Sequence, residues 1–244
     1  MDPCWMFTPY LIRGRDDNNM SDFIPAKFCP GCGYPPALTF LKNVLQKNNL
    51  LEKAVLGLDI GCNLLAWNFL PISTFQTHHG RVVPTMVGFK RARNNSISLA
   101  LVGDGGAYAI GLQSLLWAAK RDEPITVLVI NNTVYGMTGG QTAPTTLKGQ
   151  KTDSHPEGNT EEPLMGPELL KNVVKTGAYL ARTAVNEPKQ LAEFLEKAIQ
   201  TQQNGHFSLI EILSFCPTNW KTSGVETIKY LDEKLKPVFK LGEI

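Results

Sequence analysis

Two short polar motifs follow apolar runs and could together hold an anion and a divalent cation. Gly103-Asp104-Gly105 comes after the apolar run 97–102 and before a helical pattern. Its glycines let the backbone approach an anion, and the helix N-terminus offers free N–H groups. Asp104 is then placed to bind the cation that accompanies a diphosphate. By itself the tripeptide more often marks an ordinary turn.

The second motif changes that interpretation. The next apolar run, 125–130, ends in Asn131-Asn132-Thr133-Val134, and adjacent parallel strands bring Asn132 near Asp104. Mg²⁺ takes six oxygen ligands. The Asp104 carboxylate, the Asn132 amide oxygen and the Val134 carbonyl would join two diphosphate oxygens and one water. The paired motifs resemble the signature of thiamine diphosphate enzymes.

Cysteines form a second candidate site. Cys29-Pro30-Gly31-Cys32 is a Cys-x-x-Cys turn, while Cys62 and Cys216 follow the first and the last apolar runs. Four thiolates suit a [4Fe–4S] cluster or Zn²⁺, and spacing does not separate these two. The alternatives are a thioredoxin-like redox pair and buried cysteines that act as small hydrophobic residues. Cys4 lies apart, and its role stays open.

The elements that would position these motifs alternate between strand and helix. Strand-like runs lie at 54–58, 97–102, 125–130, 178–182 and 207–213, and helical patterns at 35–45, 107–120, 165–174, 187–202 and 224–235. Such alternation predicts an α/β fold, a doubly wound, mostly parallel sheet with helices on both faces. Its ligands bind outside the carboxyl ends of the strands. The long aperiodic connection 133–164 is expected to be functional.

Composition excludes several classes of function. The chain has 244 residues and a net charge of +2, which gives no reason to expect nucleic acid. Its densest basic cluster, Lys90-Arg91-Ala92-Arg93, is expected to be a solvated helix face. No run approaches the roughly 18 apolar residues of a membrane span, and residues 1–20 do not read as a signal peptide. We expect a cytoplasmic protein with an arm at 1–22 and one domain at 23–244.

Several motifs, in their order along the chain, carry a resemblance to a known family. They are Cys29-Pro30-Gly31-Cys32-Gly33, Ile60-Gly61-Cys62, His79-Gly80-Arg81, Gly103-Asp104-Gly105, the run from Asn131 to Gln141, and Cys216-Pro217-Thr218. From about residue 23 onward the chain resembles the β subunits of 2-oxoacid:ferredoxin oxidoreductases. Two further stretches, 143–147 and 216–220, look closest to the branched-chain (3-methyl-2-oxobutanoate) type.

The resemblance implies a set of ligands. The [4Fe–4S] cluster would be held by Cys29, Cys32, Cys62 and Cys216. Mg²⁺ would be held by Asp104, Asn132 and Val134. Thiamine diphosphate would contact Ile60, Gly61, Cys62, Asn63, His79, Gly103, Gly105, Gly106, Gly136 and Met137. The fold implied is the diphosphate-binding domain of thiamine diphosphate enzymes.

Two positions depart from the family pattern. Tyr34-Pro35 stands where members often have His-Gly, and Gly106 stands where they often have aspartate. Neither departure removes an expected ligand. The second removes a carboxylate near the diphosphate, and nothing in the sequence says what replaces it.

The family's activity is the coenzyme A-dependent oxidative decarboxylation of a 2-oxoacid to acyl-CoA and CO₂, with electrons passing through [4Fe–4S] to ferredoxin. Its acid for the aminopyrimidine comes from a pyrimidine-binding domain on an α subunit. The further partners implied are γ and ferredoxin-like δ subunits. As candidate catalytic residues, His79 could move a proton and Arg81 could bind an anion, although a structural role fits each equally well.

The substrate and the class of function stay open. No Lys or Arg lies between Cys62 and His78, so a second carboxylate bound there would be unpaired. This favours an aliphatic or aromatic monocarboxylate, with a 2-oxoglutarate- or pyruvate-specific member as the alternative. A non-oxidative thiamine enzyme would explain Asp104 and Asn132 but not the cysteines. A zinc-stabilised, non-catalytic assembly module is the rival from another class.

Overall fold

The computed structural model of the chain describes residues 28–244. The predicted arm 1–22, the start of the predicted domain and Cys4 lie outside the described residues. Nine strands occur among those described: β1 Ala54–Leu58, β2 Ser73–Gln76, β3 Ile97–Gly103, β4 Thr126–Asn131, β5 Val134–Tyr135, β6 Gln141–Thr142, β7 Tyr179–Ala184, β8 Ser208–Leu213 and β9 Gly242–Glu243.

Seven of the strands form one sheet in the order β2-β1-β3-β4-β8-β7-β9. Every neighbouring pair is parallel except β7 and β9, which run antiparallel. β5 and β6 form a separate antiparallel hairpin. The predicted doubly wound, mostly parallel sheet is therefore confirmed. The sequence pattern missed β2 and β9, which are too short to show a clear apolar run.

Eight α-helices surround the sheet in the described part of the chain. They are α1 Tyr34–Lys47, α2 Val82–Ala92, α3 Leu112–Arg121, α4 Gly166–Lys171, α5 Pro188–Gln203, α6 Pro217–Trp220, α7 Val225–Tyr230 and α8 Lys236–Val238. The helix predicted at 107–120 is divided, because a π-helical turn, Gly106–Ile110, precedes α3. The helix predicted at 224–235 likewise ends in a π-helical turn, Leu231–Leu235, after α7.

Alternating side chains of the central strands build one core on each face of the sheet. Leu99 and Leu101 of β3 belong to the core that contains the buried leucines of α1 and α5. Ala100 and Val102, between and beside them, belong to the core formed with α2 and α3. Successive side chains of a strand point to opposite faces, so burial of both faces requires the continuous apolar runs seen in the sequence.

The sheet order reverses at β1, and this positions the site. From β1 the chain runs to β2 on one side and then returns to β3 on the other. In parallel sheets a crevice opens outside the carboxyl ends of the strands at such a reversal. The segments that follow β1 and β3 carry Cys62 and Asp104, so both candidate sites start from this crevice.

The basic cluster at the end of α2 differs from the prediction. Lys90 is only 9% exposed, and its ammonium donates to the carbonyls of Asn94 and Ser96 at 2.7 and 2.6 Å. Arg91 pairs with Glu123 at 2.5 Å. The expected solvated face is wrong for Lys90, because its ammonium binds carbonyl groups just beyond the helix C-terminus.

Within residues 28–244, none of the helices is both long and apolar enough to cross a membrane.

Candidate cofactor site

One pocket opens at the carboxyl ends of β1, β3 and β4. All the predicted thiamine diphosphate contacts and all the predicted Mg²⁺ ligands line it: Ile60, Gly61, Cys62, Asn63, His79, Gly103, Asp104, Gly105, Gly106, Asn132, Val134, Gly136 and Met137. Tyr34, Ile110, Tyr135 and Thr138 line it as well, and the sequence did not single them out as site residues. Residues from five separate stretches of the chain thus meet at one crevice.

Asp104 is the buried acid of this pocket. It is 3% exposed, and burial raises the pKa of its carboxyl group to about 7. The hydroxyl of Thr145 donates a hydrogen bond to it. A buried carboxylate is costly without a compensating charge, so a divalent cation beside Asp104 would stabilise the ionised form. Thr145 lies in the 143–147 stretch, which the sequence linked to the family but not to the metal site.

Asn132 and Val134 stand beside Asp104 because of an unusual backbone turn. Thr133 between them has a φ of +62°, a conformation rare for a β-branched residue and costing on the order of 1–3 kcal/mol. The Thr146 hydroxyl donates to the Thr133 carbonyl at 2.6 Å, and the Gln150 amide donates to the Thr133 hydroxyl at 3.0 Å. The connection 133–164 therefore folds back onto the turn at Thr133 and holds it.

A buried ion pair supports the same turn from below. The Asn131 side chain donates to Glu211 of β8 at 3.1 Å and accepts from the Thr133 N–H at 3.0 Å. Glu211 pairs with Arg182 of β7, and both side chains are completely buried. Arg182 also binds Glu168 at 2.6 Å. Arg182 and Glu211 lie within buried strands, and no periodicity in the sequence identified them.

The glycines after β3 leave no room for side chains. A Cβ on Gly105 would overlap the ring of Tyr135, with its Cζ only 2.6 Å away. A Cβ on Gly106 would overlap the carboxylate of Asp59, whose Cγ would be 3.3 Å away. The backbone of this turn is thus packed closely at the start of the helical segment. Such a turn suits the close approach of an anionic diphosphate.

Tyr34 occupies the first position where the chain departs from the family pattern. Its ring is buried, and its hydroxyl donates to the side-chain oxygen of Asn63 at 2.7 Å. The amide nitrogen of Asn63 then points towards Gly103, 3.5 Å from where a Cβ would lie. Tyr34 therefore orients a polar side chain in the pocket.

Of the two predicted catalytic residues, only His79 lines the pocket. The Arg81 guanidinium instead donates to the carbonyls of Ile110 and Gly80, at 3.2 and 3.4 Å. Its position holds the turn that carries His79 against the segment before α3. His78 is exposed, as expected.

The four cysteines of the described residues converge beside the pocket and form no disulfide. Gly33 donates to the carbonyl of Phe215 at 3.2 Å, which joins the Cys29–Cys32 turn to the residue before Cys216. Burial and the charges of the other cysteines raise the pKa of Cys32 to about 12 and that of Cys62 to about 11. Cys62 is shared by the two sites, since its Sγ lies 3.4 Å from a Cβ built on Gly136.

Within residues 28–244, no three His, Cys, Asp or Glu side chains are grouped closely enough to be the ligands of one metal ion.

Helix α6 connects the cysteines to the pocket. The Asn219 amide donates to the Gly136 carbonyl at 3.0 Å and to the Cys216 sulfur at 3.2 Å. The Trp220 indole donates to the Asn132 carbonyl at 3.0 Å. No role beyond the family resemblance was predicted for these two residues.

Comparisons with known proteins agree with this geometry. Residues 59–212 match the family model described as thiamine pyrophosphate enzyme, C-terminal TPP binding domain. The chain is 34% identical over 218 residues to 2-oxoglutarate synthase subunit KorB of Archaeoglobus fulgidus, covering 88% of this chain and 79% of KorB. It is 34% identical over 220 residues to the 2-oxoacid:ferredoxin oxidoreductase subunit beta of Saccharolobus solfataricus, covering 88% and 68% of the two chains.

A third relative is named for a different substrate. Ketoisovalerate oxidoreductase subunit VorA of Methanothermobacter thermautotrophicus is 32% identical over 220 residues, which are 87% of this chain but only 46% of VorA. Among solved structures, the 2-oxoglutarate:ferredoxin oxidoreductase from Magnetococcus marinus superposes with a TM-score of 0.75 at 23% identity, covering 93% of this chain and 76% of that one. That likeness shows the fold. The chain belongs to the β subunits of the 2-oxoacid:ferredoxin oxidoreductases and is built on a thiamine diphosphate-binding domain.

Proposed function

We propose that this chain carries the thiamine diphosphate and [4Fe–4S] sites of a 2-oxoacid:ferredoxin oxidoreductase that converts a 2-oxoacid and coenzyme A to acyl-CoA and CO₂. Ferredoxin is the electron acceptor in the proposal. The observation that carries it is the position of Cys62, which lines the cofactor pocket and also belongs to the cysteine group. A non-oxidative thiamine enzyme would have no use for such an arrangement.

Residues that follow the ends of β3 and β4 would bind Mg²⁺ and the diphosphate of the cofactor. Asp104, Asn132 and the Val134 carbonyl would bind Mg²⁺, and the turn at Gly105 and Gly106 would receive the diphosphate. Thiamine diphosphate supplies, when bound, the nucleophilic carbon and the electron sink for decarboxylation. The buried carboxyl group of Asp104, with its raised pKa, and the closely packed glycines support this assignment.

The cysteine end would hold the electron acceptor. Cys29, Cys32, Cys62 and Cys216 are the proposed ligands of a [4Fe–4S] cluster, which supplies one-electron transfer when bound. The raised thiol pKa values of Cys32 and Cys62 support the need for a positively charged centre, since without one their ionised thiolates are disfavoured. Adjacency to the pocket keeps the electron path short.

His79 is the proposed group that holds or moves a proton at the substrate. It lines the pocket, and a histidine exchanges protons near neutral pH. Arg81 is reassigned to a positioning role, because its guanidinium binds main-chain carbonyls of the neighbouring turns. Tyr34 and Asn63 would orient the polar side of the pocket through their hydrogen bond.

The pocket also indicates what a partner must add. Asp104 is the only acidic residue that lines it among the described residues, and it lies at the proposed metal end. The acid for the aminopyrimidine would therefore come from the pyrimidine-binding domain of an α subunit. The exposed side chains of Ile110 and Met137 at the pocket are available to that subunit. We include γ and ferredoxin-like δ subunits as further proposed partners.

The substrate proposed is a branched-chain or other monocarboxylic 2-oxoacid. Of the residues between Cys62 and His78, only Asn63 lines the pocket, so this stretch does not itself support the preference. The lining residues contain no Lys or Arg in the described part of the chain. A second carboxylate would therefore find no lysine or arginine to pair with here. Relatives named for 2-oxoglutarate and for ketoisovalerate are 34% and 32% identical, so identity does not choose between these substrates.

The test is anaerobic purification through a tag on this chain, followed by an assay of 2-oxoacid- and CoA-dependent reduction of a viologen dye. We expect reduction with 3-methyl-2-oxobutanoate to exceed that with 2-oxoglutarate, and the Asp104→Asn complex to be inactive. Preference for 2-oxoglutarate would contradict the substrate proposal alone. No reduction with any 2-oxoacid would contradict the proposed function.

A further inference from the structure

Asp59 is a buried carboxylate that the proposed function does not use. It follows β1 directly, is 1% exposed and does not line the cofactor pocket, although the next residue does. One of its oxygens accepts a hydrogen bond from the Gly80 N–H at 2.8 Å. The other, Oδ2, is buried without a hydrogen-bond partner. A buried acid so placed needs an explanation, because an unpartnered polar atom lowers stability.

The unpartnered oxygen occupies the space beside Gly106. A Cβ on Gly106 would overlap Oδ2 of Asp59 and lie 3.3 Å from its Cγ. Side chains at positions 59 and 106 would therefore occupy the same space. A carboxylate at either position can fill that space, but carboxylates at both positions cannot. Gly106 is the position at which members of the family often have aspartate. In this chain the carboxylate of Asp59, which follows the neighbouring strand β1, fills the space beside Gly106.

The other oxygen fastens the turn that carries His79. Gly80 has a φ of +65°, and a Cβ there would be 2.6 Å from the Gly111 nitrogen, so the turn is packed tightly against the start of α3. Asp59 binds this turn on one side. Arg81 binds the Ile110 carbonyl at 3.2 Å on the other. His79, one residue before Gly80, is held at the pocket by these contacts.

We propose that Asp59 is a positioning residue of the cofactor site, holding the His79–Arg81 turn through Gly80 and filling the volume that Gly106 leaves. The inference rests on the proposed thiamine diphosphate site. The Cβ of an aspartate at 106 would overlap Oδ2 of Asp59. In the Asp59→Gly/Gly106→Asp variant, the carboxylate at position 106 would lie within reach of the His79–Arg81 turn.

The test exchanges the carboxylate between the two positions. The variants Asp59→Gly, Gly106→Asp, Asp59→Gly/Gly106→Asp and Asp59→Asn are made in the complex purified through a tag on this chain. Thiamine diphosphate binding with Mg²⁺ is measured by calorimetry, and thermal unfolding is followed without cofactor. The melting temperatures show whether each variant folds, and the double variant forms a cycle with the two single ones.

We expect each of the two single changes, Asp59→Gly and Gly106→Asp, to weaken binding roughly tenfold or more, a loss of about 1.4 kcal/mol. Binding by the double variant should return to within about threefold of wild type, and Gly106→Asp should melt lower than the double variant. Asp59→Asn should also bind within about threefold, because its amide oxygen still accepts from Gly80.

Two results would overturn the inference while leaving the proposed function intact. One is wild-type affinity in Asp59→Gly, and the other is a double variant that binds no better than Gly106→Asp. A wild-type complex that does not bind thiamine diphosphate would instead overturn the site assignment, and the positioning role with it, even if the effects of the two single changes on the melting temperature are non-additive.

Discussion

The side-chain amide of Asn219 donates a hydrogen bond to the sulfur of Cys216 at 3.2 Å. The same nitrogen lies 3.0 Å from the carbonyl of Gly136, which lines the cofactor pocket. Helix α6 therefore joins the proposed cluster to the proposed cofactor through one side chain. Replacing Asn219 should therefore alter both the proposed cluster and the proposed cofactor site.

Loss of the Asn219 donor is expected to shift the cluster's midpoint potential to a more negative value. Hydrogen bonds to cluster sulfurs stabilise the reduced, more negatively charged state. Asn219→Leu keeps the approximate size of the side chain and removes the donor without adding a charge, and Thr218→Ala in the same helix serves as the control. A redox titration followed by electron paramagnetic resonance measures the shift. Equal potentials in wild type and Asn219→Leu would contradict the role given to this hydrogen bond.

Replacement of Thr145 by valine should destabilise the cofactor-free protein by about 1–3 kcal/mol, because the change leaves a buried oxygen of Asp104 unsatisfied. Valine keeps the size of the side chain and removes only its donor. Thr145→Ser, which restores a hydroxyl, should recover most of the loss. Urea unfolding of the three proteins measures the difference, and a neutral Thr145→Val variant would mean that the hydrogen bond contributes nothing.

Replacing Arg182 should lower stability strongly, because Arg182 belongs to the buried ion pair next to the proposed metal-binding turn. Arg182→Met should lower the free energy of unfolding by roughly 3–5 kcal/mol, since it leaves Glu211 buried and unpaired. Lys47 pairs with Glu196 at 2.6 Å on the surface. Its matched variant, Lys47→Met, should change stability by no more than about 1 kcal/mol. Similar losses in the two variants, measured by chemical denaturation, would be inconsistent with a special role for the buried pair.

Asp59 makes stability depend on pH in a definite direction. Burial raises the pKa of its carboxyl group from 3.8 to about 6 in the folded chain. The folded state therefore gains stability from the protonated acid below pH 4, and this gain is lost as pH rises through 6. The difference between the two pKa values sets an upper limit of about 3 kcal/mol.

Asp59→Asn removes this titration, so the variant should lose less stability than wild type between pH 4 and pH 7. Denaturation of both cofactor-free proteins at several pH values measures the difference, and other titrating groups cancel in the comparison. Parallel curves for the two proteins would show that Asp59 does not titrate in this range.

The sequence was a good guide to whatever depends on the ends of buried parallel strands. Asp104 and Asn132 could be paired from their positions alone, because β3 and β4 are parallel neighbours in the sheet. Cys62 and Cys216 were likewise placed at strand ends. These relationships follow from apolar runs of strand length and from the geometry of parallel sheets.

The sequence was a poor guide to contacts made between loops. Thr145 reaches Asp104 from a connection without periodicity, and Asp59 reaches Gly106 from a different strand. Arg81 was expected at the pocket, but it turns towards main-chain carbonyls of a segment 29 residues away. Such contacts depend on how loops pack after the sheet has formed, and residue types and spacing do not encode them locally.

In the proposed function, one chain places an iron–sulfur cluster beside a thiamine diphosphate pocket. Iron, zinc and acid-labile sulfide analysis of the anaerobically purified protein, together with its visible spectrum, tests this arrangement. We expect about four irons and four sulfides per chain, with a brown colour that the Cys216→Ser variant loses. One zinc ion per chain, with neither sulfide nor colour, would contradict it.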